Sequence, residues 1–151
     1  MEKIDELDRK ILQIITRNAR TPFKDVAEEC KVSRAAVHQR VQKLIETGVI
    51  LGSSYKVDPK MLGYNLCVYV GITLERGSMY DAVCEELEKI SEVVESQFTL
   101  GTFSMLIKLY ARDDKHLMEL LNRRIQAIPG VMKTETLTAL DQRIDRTLPI
   151  L

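Results

Sequence analysis

Several features are absent from this sequence or scarce in it. It has no tryptophan, only 5% aromatic residues, and no apolar run long enough to cross a membrane. The N-terminal stretch MEKIDELDRK is charged and amphipathic, which is not the pattern of a secretory signal. With 45% hydrophobic and 29% charged residues, the composition predicts a globular protein of the cytoplasm with no membrane partner.

Residues that hold metals or carry out catalysis are equally scarce. The three cysteines (Cys30, Cys67 and Cys84) form no C-x-x-C pair, and only two histidines are present, His38 and His116. An odd number of isolated cysteines in apolar patterns predicts reduced thiols within the core. We therefore expect no metal, no cofactor and no catalytic residue.

The chain has no excess of charge, since 22 basic residues balance 22 acidic ones, and this argues at first against a nucleic-acid partner. The charge is unevenly distributed, however. Residues 1–60 hold 12 Lys/Arg against 9 Asp/Glu, and residues 61–151 hold 10 against 13. A basic first part and an acidic second part are typical of a DNA-binding module joined to a different domain.

Residues 21–50 predict two helices joined by a short turn. Thr21 is a candidate N-cap and Pro22 suits the first helical position. Ser33 is a second N-cap candidate, and Gly48 ends the longer helix that follows. A short helix, a turn of three or four residues and a basic second helix form the motif that reads the DNA major groove.

The second helix has one apolar stripe, formed by Val37, Val41 and Leu44. The opposite side and the first turns predict the DNA contacts. Base edges are the expected targets of Arg34, His38, Gln39 and Gln42, with Ala35 against a thymine methyl group. Phosphates are the expected targets of Arg40, Lys43 and the backbone N–H of Ser33. The alternative is an ordinary solvated helix.

The remaining segments complete the domain plan. A first helix is expected from about residue 5 to 18, and the segment VILGSSYKV predicts a hairpin wing, in which Lys56 could touch a phosphate. The linker 58–63 contains Pro59 and Gly63, which are typical of a boundary. We therefore predict a helix-turn-helix domain at 1–50, a wing and linker at 51–63, and a second domain at 64–151.

The second domain is predicted to have the order βαββαβ. Strand patterns cover 66–75, 93–100, 103–110 and 132–140, while helical patterns begin at Ser78 and span about 113–127. This order predicts a ferredoxin-like antiparallel sheet with both helices on one face. The uncovered face favours a two-fold homodimer.

These motifs together resemble the Lrp/AsnC family of transcription regulators over essentially the whole chain. The resemblance depends on Leu7-Asp8-x-x-Ile11-Leu12, Gly48-Val49-Ile50, Asp58-Pro59-x-x-Leu62-Gly63 and Ile128-Pro129-Gly130-Val131. It implies an α+β fold, with a winged helix-turn-helix domain followed by a ferredoxin-like RAM domain. It also implies binding to double-stranded DNA, dimers that assemble to tetramers or octamers, and an amino-acid-like effector.

The family resemblance places the effector between dimers, near the turn that joins the second and third strands. This chain has Gly101-Thr102-Phe103-Ser104 where the family often has Gly-Asp-Tyr-Asp. Thr134 and Thr136 are candidate hydroxyl donors to the same region. Because both carboxylates are replaced by neutral groups, we expect a weaker or altered response to amino acids. Solvent-exposed turn chemistry is the alternative.

Two other functions remain open from the sequence. Sirohaem decarboxylases resemble the same two-domain architecture, although the two histidines here lie in no catalytic constellation. An architectural protein would use the same basic residues with little preference among DNA sequences. The C-terminal tail 144–151 is unusually apolar, and we expect it to pack on its own or on a neighbouring subunit.

Overall fold

The computed structural model describes residues 4–151, so the first three residues of the predicted 1–50 domain lie outside it. The chain forms two compact units. One contains the described residues up to Lys56 together with Ile144–Leu151, and the other is Val57–Arg143. The C-terminal tail therefore groups with the first unit rather than with the domain that precedes it in the chain.

The first unit is built on three helices, α1 (Glu6–Ile15), α2 (Phe23–Cys30) and α3 (Arg34–Glu46). Their apolar faces meet in a small core that contains Ile11, Val26, Ala27 and Val37. A capping box begins α1, because the Asp5 carboxylate accepts the Asp8 N–H at 2.8 Å while the Asp8 carboxylate accepts the Asp5 N–H at 3.1 Å.

The turn between α2 and α3 forms as the sequence predicts. Lys31 ends α2 in the left-handed region at φ 56°. The Ser33 hydroxyl then caps α3 by accepting the Ala36 N–H at 3.1 Å. The expected cap of α2 is wrong, because the Thr21 hydroxyl donates to the Asn18 carbonyl and Pro22 is the N-cap residue.

The predicted hairpin around Gly52 is not formed, since the described residues contain no strand before Leu66. Residues 51–58 are exposed, including the side chains of Leu51, Tyr55 and Val57. A two-stranded hairpin is marginal unless a third element covers its apolar face, and this segment has no such cover here. A short 3₁₀ turn, Pro59–Leu62, follows and is capped by Asp58.

The second unit has the predicted βαββαβ order. Its strands are β1 (Leu66–Leu74), β2 (Val93–Phe98), β3 (Met105–Ala111) and β4 (Val131–Ala139). They form one antiparallel sheet in the order β2-β3-β1-β4. The prediction of a ferredoxin-like sheet is confirmed.

The two helices of this unit differ slightly from expectation. A 3₁₀ turn at Gly77–Met79 precedes α4 (Tyr80–Glu88), so Ser78 does not cap that helix. The last helix, α5 (Asp114–Glu119), is capped by Asp113 and continues as a π-helical turn at Leu120–Ile125. Both helices pack on the sheet face that carries Val68, Val70, Ile72 and the matching positions of β3.

Candidate DNA-binding surface and effector turn

The outer surface of α3 is exposed and polar. Val37 and Leu44 are buried and Val41 is half-buried, as the apolar stripe predicts. The exposed residues on the other side are Arg34, Ala35, His38, Gln39, Gln42 and Lys43. A shallow, open depression follows this side and is lined by Ala35, His38, Gln39, Gln42, Lys43 and Glu46. The helix therefore presents a polar strip with a small residue, Ala35, near its N-terminal end.

His38 and Gln42 of this strip contact side chains of the first unit. The His38 ring contacts the edge of Phe23, the first residue of α2, with ring centroids 5.4 Å apart. The Gln42 amide donates to the Glu46 carboxylate at 3.0 Å. His38 is thus held at the edge of the strip beside α2, and Gln42 keeps its second N–H and its amide oxygen for a base.

Arg40 has a different position from the one that the sequence predicts. It is only half-exposed, and its guanidinium donates to Asp5 and to Asp8 of α1, with 3.2 Å between Nη1 and the Asp8 oxygen. The Asp8 side chain is almost fully buried. The phosphate contact of Arg40 stays a prediction, and two carboxylates of the same domain compete with phosphate for its guanidinium.

The sequence indicates the two carboxylates that bind Arg40 but not their pairing with it. Asp5 and Asp8 have the spacing of a capping box, which places two carboxylates at the start of α1. The Asp8 N–H and the Arg40 guanidinium, in that order, lower the pKa of Asp5 below its usual value. The spacing along the sequence cannot show that Arg40, 32 residues later, reaches these groups.

A further cation that the sequence analysis missed lies just before α2. The Arg20 guanidinium is 5.9 Å from the ring centroid of Tyr55, within the exposed segment that follows α3. This cation–π contact holds the segment against the turn between α1 and α2. In the sequence, the only indication of this contact is that two basic residues, Arg17 and Arg20, lie in the turn.

In the second unit, the turn that carries the predicted effector residues is hydrogen-bonded to β1. The Ser104 N–H donates to the Ile72 carbonyl at 2.9 Å, and the Ser104 hydroxyl accepts the Leu74 N–H at 3.1 Å. The Thr99 hydroxyl donates to the Phe103 carbonyl at 2.7 Å. Ser104 therefore orders the turn, and Gly101 and Thr102 form its exposed tip.

Phe103 packs against Gly71 in the middle of β1. A Cβ atom at Gly71 would lie 2.6 Å from the Phe103 ring, so only glycine leaves room for the ring at this distance. The neighbours of Gly71 along the strand, Val70 and Ile72, point into the core under the helices. Phe103 consequently lies on the opposite side of the sheet, which we call the open face.

The side chains of Thr134 and Thr136 lie on the sheet face opposite Phe103, so the prediction that both hydroxyls reach the region of the turn is corrected. Thr134 pairs with Ile72 and Thr136 with Val70, and directly paired residues share a face of the sheet. Both hydroxyls are therefore on the helical face, where Thr134 accepts a hydrogen bond from Gln126 at 2.9 Å. The sequence identifies β4 as a strand but does not show which of its alternating residues face the helices, and this explains the error.

Two features are absent from the described part of the chain, a cluster of metal-ligating side chains and a membrane-spanning helix. Residues 4–151 contain no group of three or more His, Cys, Asp or Glu side chains arranged to hold a metal ion. Within the same residues no helix is both long and apolar enough to cross a membrane. The three cysteines are unpaired by disulfides.

A helix-turn-helix with a polar recognition surface, followed by a ferredoxin-like domain, defines a DNA-binding regulator of transcription. A winged helix-turn-helix DNA-binding model matches residues 4–50. A model of the Lrp/AsnC ligand binding domain matches residues 67–149. The chain belongs to the Lrp/AsnC family, which confirms the resemblance seen in the sequence.

Named relatives and solved structures agree with this assignment. The regulatory protein AsnC of Haemophilus influenzae is 36% identical over 148 residues, which cover 98% of this chain and 99% of the relative. The AsnC protein of Escherichia coli K12 is 38% identical over 145 residues, covering 96% of this chain and 95% of the relative. The solved structure of E. coli AsnC has a TM-score of 0.91 at 37% identity, covering 97% of this chain and 99% of that one.

A more distant structure contains a ligand. A feast or famine regulatory protein from M. tuberculosis, complexed with L-methionine, has a TM-score of 0.91 at 26% identity. The match covers 99% of this chain and 100% of that chain.

Proposed function

We propose that this protein regulates transcription by binding a pseudo-palindromic DNA site as a dimer, each α3 helix entering a major groove. The observation that carries the proposal is the polar outer strip of α3, displayed by a helix whose other side is buried against α1 and α2. No large apolar residue occupies the N-terminal part of this strip. A recognition helix needs this combination, because base edges require hydrogen-bonding groups held by a rigid scaffold.

Each residue of the strip has a specific role in the proposal. Gln39 and Gln42 pair with adenine, Arg34 pairs with guanine, and Ala35 contacts a thymine methyl group. Lys43 and the Ser33 backbone N–H contact phosphates, and His38 adds a contact at the edge of the strip. Arg40 is excluded from this set because Asp5 and Asp8 bind it.

We further propose that dimers form through the open face of the sheet. Tyr69 of β1 and Leu106 and Tyr110 of β3 are half-buried there, and Leu137 of β4 is exposed. Lys108 lies between the Tyr69 and Tyr110 rings, at 5.8 and 5.6 Å from their centroids. The same face also carries Glu95, 3.8 Å from Lys108, and the pair Lys133 and Glu135 of β4. An aromatic and aliphatic surface with charges of both signs suits an isologous contact. Tetramers or octamers would then arise by contacts between dimers.

The effector that we propose is an amino acid or a related metabolite, as supported by the methionine complex of the M. tuberculosis relative. In this chain the turn 101–104 contains no carboxylate to pair with an ammonium group. The Ser104 hydroxyl is already bonded to Leu74, so the exposed backbone and hydroxyl at Gly101 and Thr102 are the groups left for a ligand. We therefore expect weaker or altered recognition of amino acids.

The proposal assigns no catalytic step to this chain and places its action in the cytoplasm, where the DNA is. A sirohaem-decarboxylase activity is the alternative on the same architecture. Incubation with sirohaem followed by gel filtration separates the two functions, because bound sirohaem would colour the protein fraction.

The first experiment is fluorescence-anisotropy binding to the DNA upstream of the protein's own gene and to a scrambled duplex, over a salt series. Tighter binding to the upstream fragment, weakening steeply with salt, is the expected result. Gln39→Ala and Arg34→Ala should reduce the preference, whereas Asn122→Ala and Lys115→Ala, on exposed positions of the second unit, should not. Equal binding to both duplexes would favour an architectural role, and no binding at low salt would contradict the proposal.

The effector proposal is tested separately by thermal unfolding in the presence of a panel of amino acids. A ligand that binds only the folded state raises the unfolding midpoint, and the rise grows with the ratio of the ligand concentration to its Kd. We expect small shifts for the common amino acids. Strong stabilisation by any one of them would contradict a weakened response.

A further inference from the structure

The C-terminal tail lies on the DNA-binding unit. It follows β4 and comprises Ile144–Leu151, which belong to the same compact unit as helices α1 to α3. The Gln13 amide of α1 donates to the Ile150 carbonyl at 3.0 Å, across 137 positions of sequence. Ile150 is the one residue of the tail that is partly buried.

A second contact joins the tail to the segment that leaves the DNA-binding unit. Lys56 Nζ lies 3.0 Å from the carboxylate of Asp145. Lys56 is the last residue before the chain enters the second unit, and Asp145 is the second residue after the chain returns. The entry to the effector domain and its exit are thus held side by side by one ion pair.

A groove separates the C-terminal end of α1 from the tail. Gln13, Thr16 and Arg17 form one side of it, and residues 146–150 form the other. The hydrogen bond from the Gln13 amide to the Ile150 carbonyl joins the two sides. The tail of the same chain is covalently linked, so its effective concentration at this groove exceeds that of any free peptide.

We propose that the tail is an intramolecular clasp, which connects the effector domain to the DNA-binding unit a second time. A single linker at residues 57–65 would let the helix-turn-helix reorient with little restraint. With the clasp closed, both ends of the effector domain are anchored, and the range of orientations is smaller. Two helices that must enter successive grooves together then lose less freedom on binding DNA. The consequence for DNA affinity depends on the DNA-binding function proposed above, whereas the contact of the tail with α1 does not.

The clasp is tested with three variants of the full-length background. A chain ending at Arg146 lacks residues 147–151 but retains Asp145 and Arg146. Gln13→Leu removes only the amide donor, at an exposed position of α1. This variant still tests the contact if the shortened chain is unstable. Leu151→Ser, at an exposed residue, is the matched control.

Hydrogen exchange followed by mass spectrometry gives the first readout, without DNA. The shortened chain should exchange about 3-fold faster or more in residues 12–17, and Gln13→Leu should shift the same segment in the same direction. Leu151→Ser should leave it unchanged. Unchanged exchange in both test variants would overturn the clasp whatever the result with DNA.

Anisotropy over a salt series gives the second readout. Loss of the clasp should weaken binding to the operator by about 3- to 10-fold with an unchanged slope of log K against log salt, because no phosphate contact is removed. A smaller slope of log K against log salt would mean that the tail itself binds phosphate. Unchanged DNA affinity would mean that the tail does not restrain the orientation of the helix-turn-helix. Either result overturns the proposal.

A cross-link shows whether the clasp closes within one chain. With the three native cysteines replaced by serine, Gln13→Cys and Ile150→Cys are joined by a short bismaleimide, after DNA binding has been checked. The expected product on a denaturing gel is a single chain of altered mobility. A product of twice the mass would place the tail on a partner subunit and overturn the intramolecular clasp.

Discussion

Arg40 on the recognition helix and Asp8 on α1 are joined by an ion pair, with 3.2 Å between Nη1 and the carboxylate oxygen. Asp8 is almost fully buried, and Asp5 binds the same guanidinium from the capping box that begins α1. The pair therefore connects the cap of one helix to the middle of another. A basic residue of α3 is thus bound by two carboxylates of the helix that packs beside it.

The first prediction concerns this ion pair. Asp8→Ala should lower the free energy of unfolding by about 1–3 kcal/mol, because it removes a charged hydrogen-bond partner and half of the capping box. Arg40→Ala should destabilise the domain through the same contact and should leave the salt slope of DNA binding unchanged. Urea unfolding and anisotropy measure the two effects. If Arg40→Ala reduced the slope of log K against log salt by about the amount expected for one phosphate contact, Arg40 would be shown to contact DNA.

The second prediction separates the two roles of Ser33. Its hydroxyl caps α3, and its backbone N–H is proposed above to contact a phosphate. Ser33→Ala should cost about 1 kcal/mol of stability, since no side chain then accepts the Ala36 N–H. Ser33→Asp should keep the cap and the stability but weaken DNA binding, because a carboxylate at this position repels phosphate. Equal DNA affinity of Ser33→Asp and the wild type would place this helix end away from the DNA backbone.

The third prediction concerns Gly71 and Phe103. Gly71→Ala should destabilise the second unit by about 1–3 kcal/mol, because the new methyl group overlaps the Phe103 ring. In a Phe103→Ala background the same substitution should cost much less, since the ring is gone. A double-mutant cycle by thermal unfolding measures this coupling. Additive effects of the two substitutions would show that the ring moves aside without cost.

The fourth prediction is a pH dependence that arises at Glu92. Burial raises the pKa of this carboxyl, but hydrogen bonds from its own backbone N–H and from Ser91, with the charges of His116 and Arg124, outweigh burial and lower it. A lowered folded-state pKa stabilises the fold above the unfolded-state value, and this stability is lost as the pH falls through the folded-state value. Glu92→Gln should therefore reduce the loss of stability below about pH 4.5. Denaturant midpoints across pH measure it.

The matched control for that experiment is Glu88→Gln, at an exposed position of α4. It should keep the wild-type acid dependence. If both variants lost the same part of the acid dependence, the effect would come from net charge rather than from the site between Glu92 and His116, whose Nε2 lies 3.3 Å from the carboxylate.

Local patterns in the sequence were sufficient for the secondary structure and for the family. The Ser33 cap, the stripe of Val37 and Leu44, and the alternation along β1 each act within a few residues, so they can be detected by spacing alone. The order βαββαβ then leaves few possible topologies, which is why the antiparallel sheet was predicted correctly. The hairpin at Gly52 failed because turn residues favour a hairpin but cannot provide the packing that stabilises it.

The sequence by itself determined the helices of the first unit and the βαββαβ order of the second, which side of α3 is buried, and that the chain is a DNA-binding regulator of the Lrp/AsnC family. Only the tertiary structure decided that Arg40 binds Asp8, that Thr134 and Thr136 are on the sheet face opposite Phe103, and that the tail reaches Gln13. The physical reason is distance along the chain. Helix caps and periodicity depend on neighbours within about one turn, whereas these three relationships depend on strand register and on long-range contacts between residues of opposite or complementary polarity.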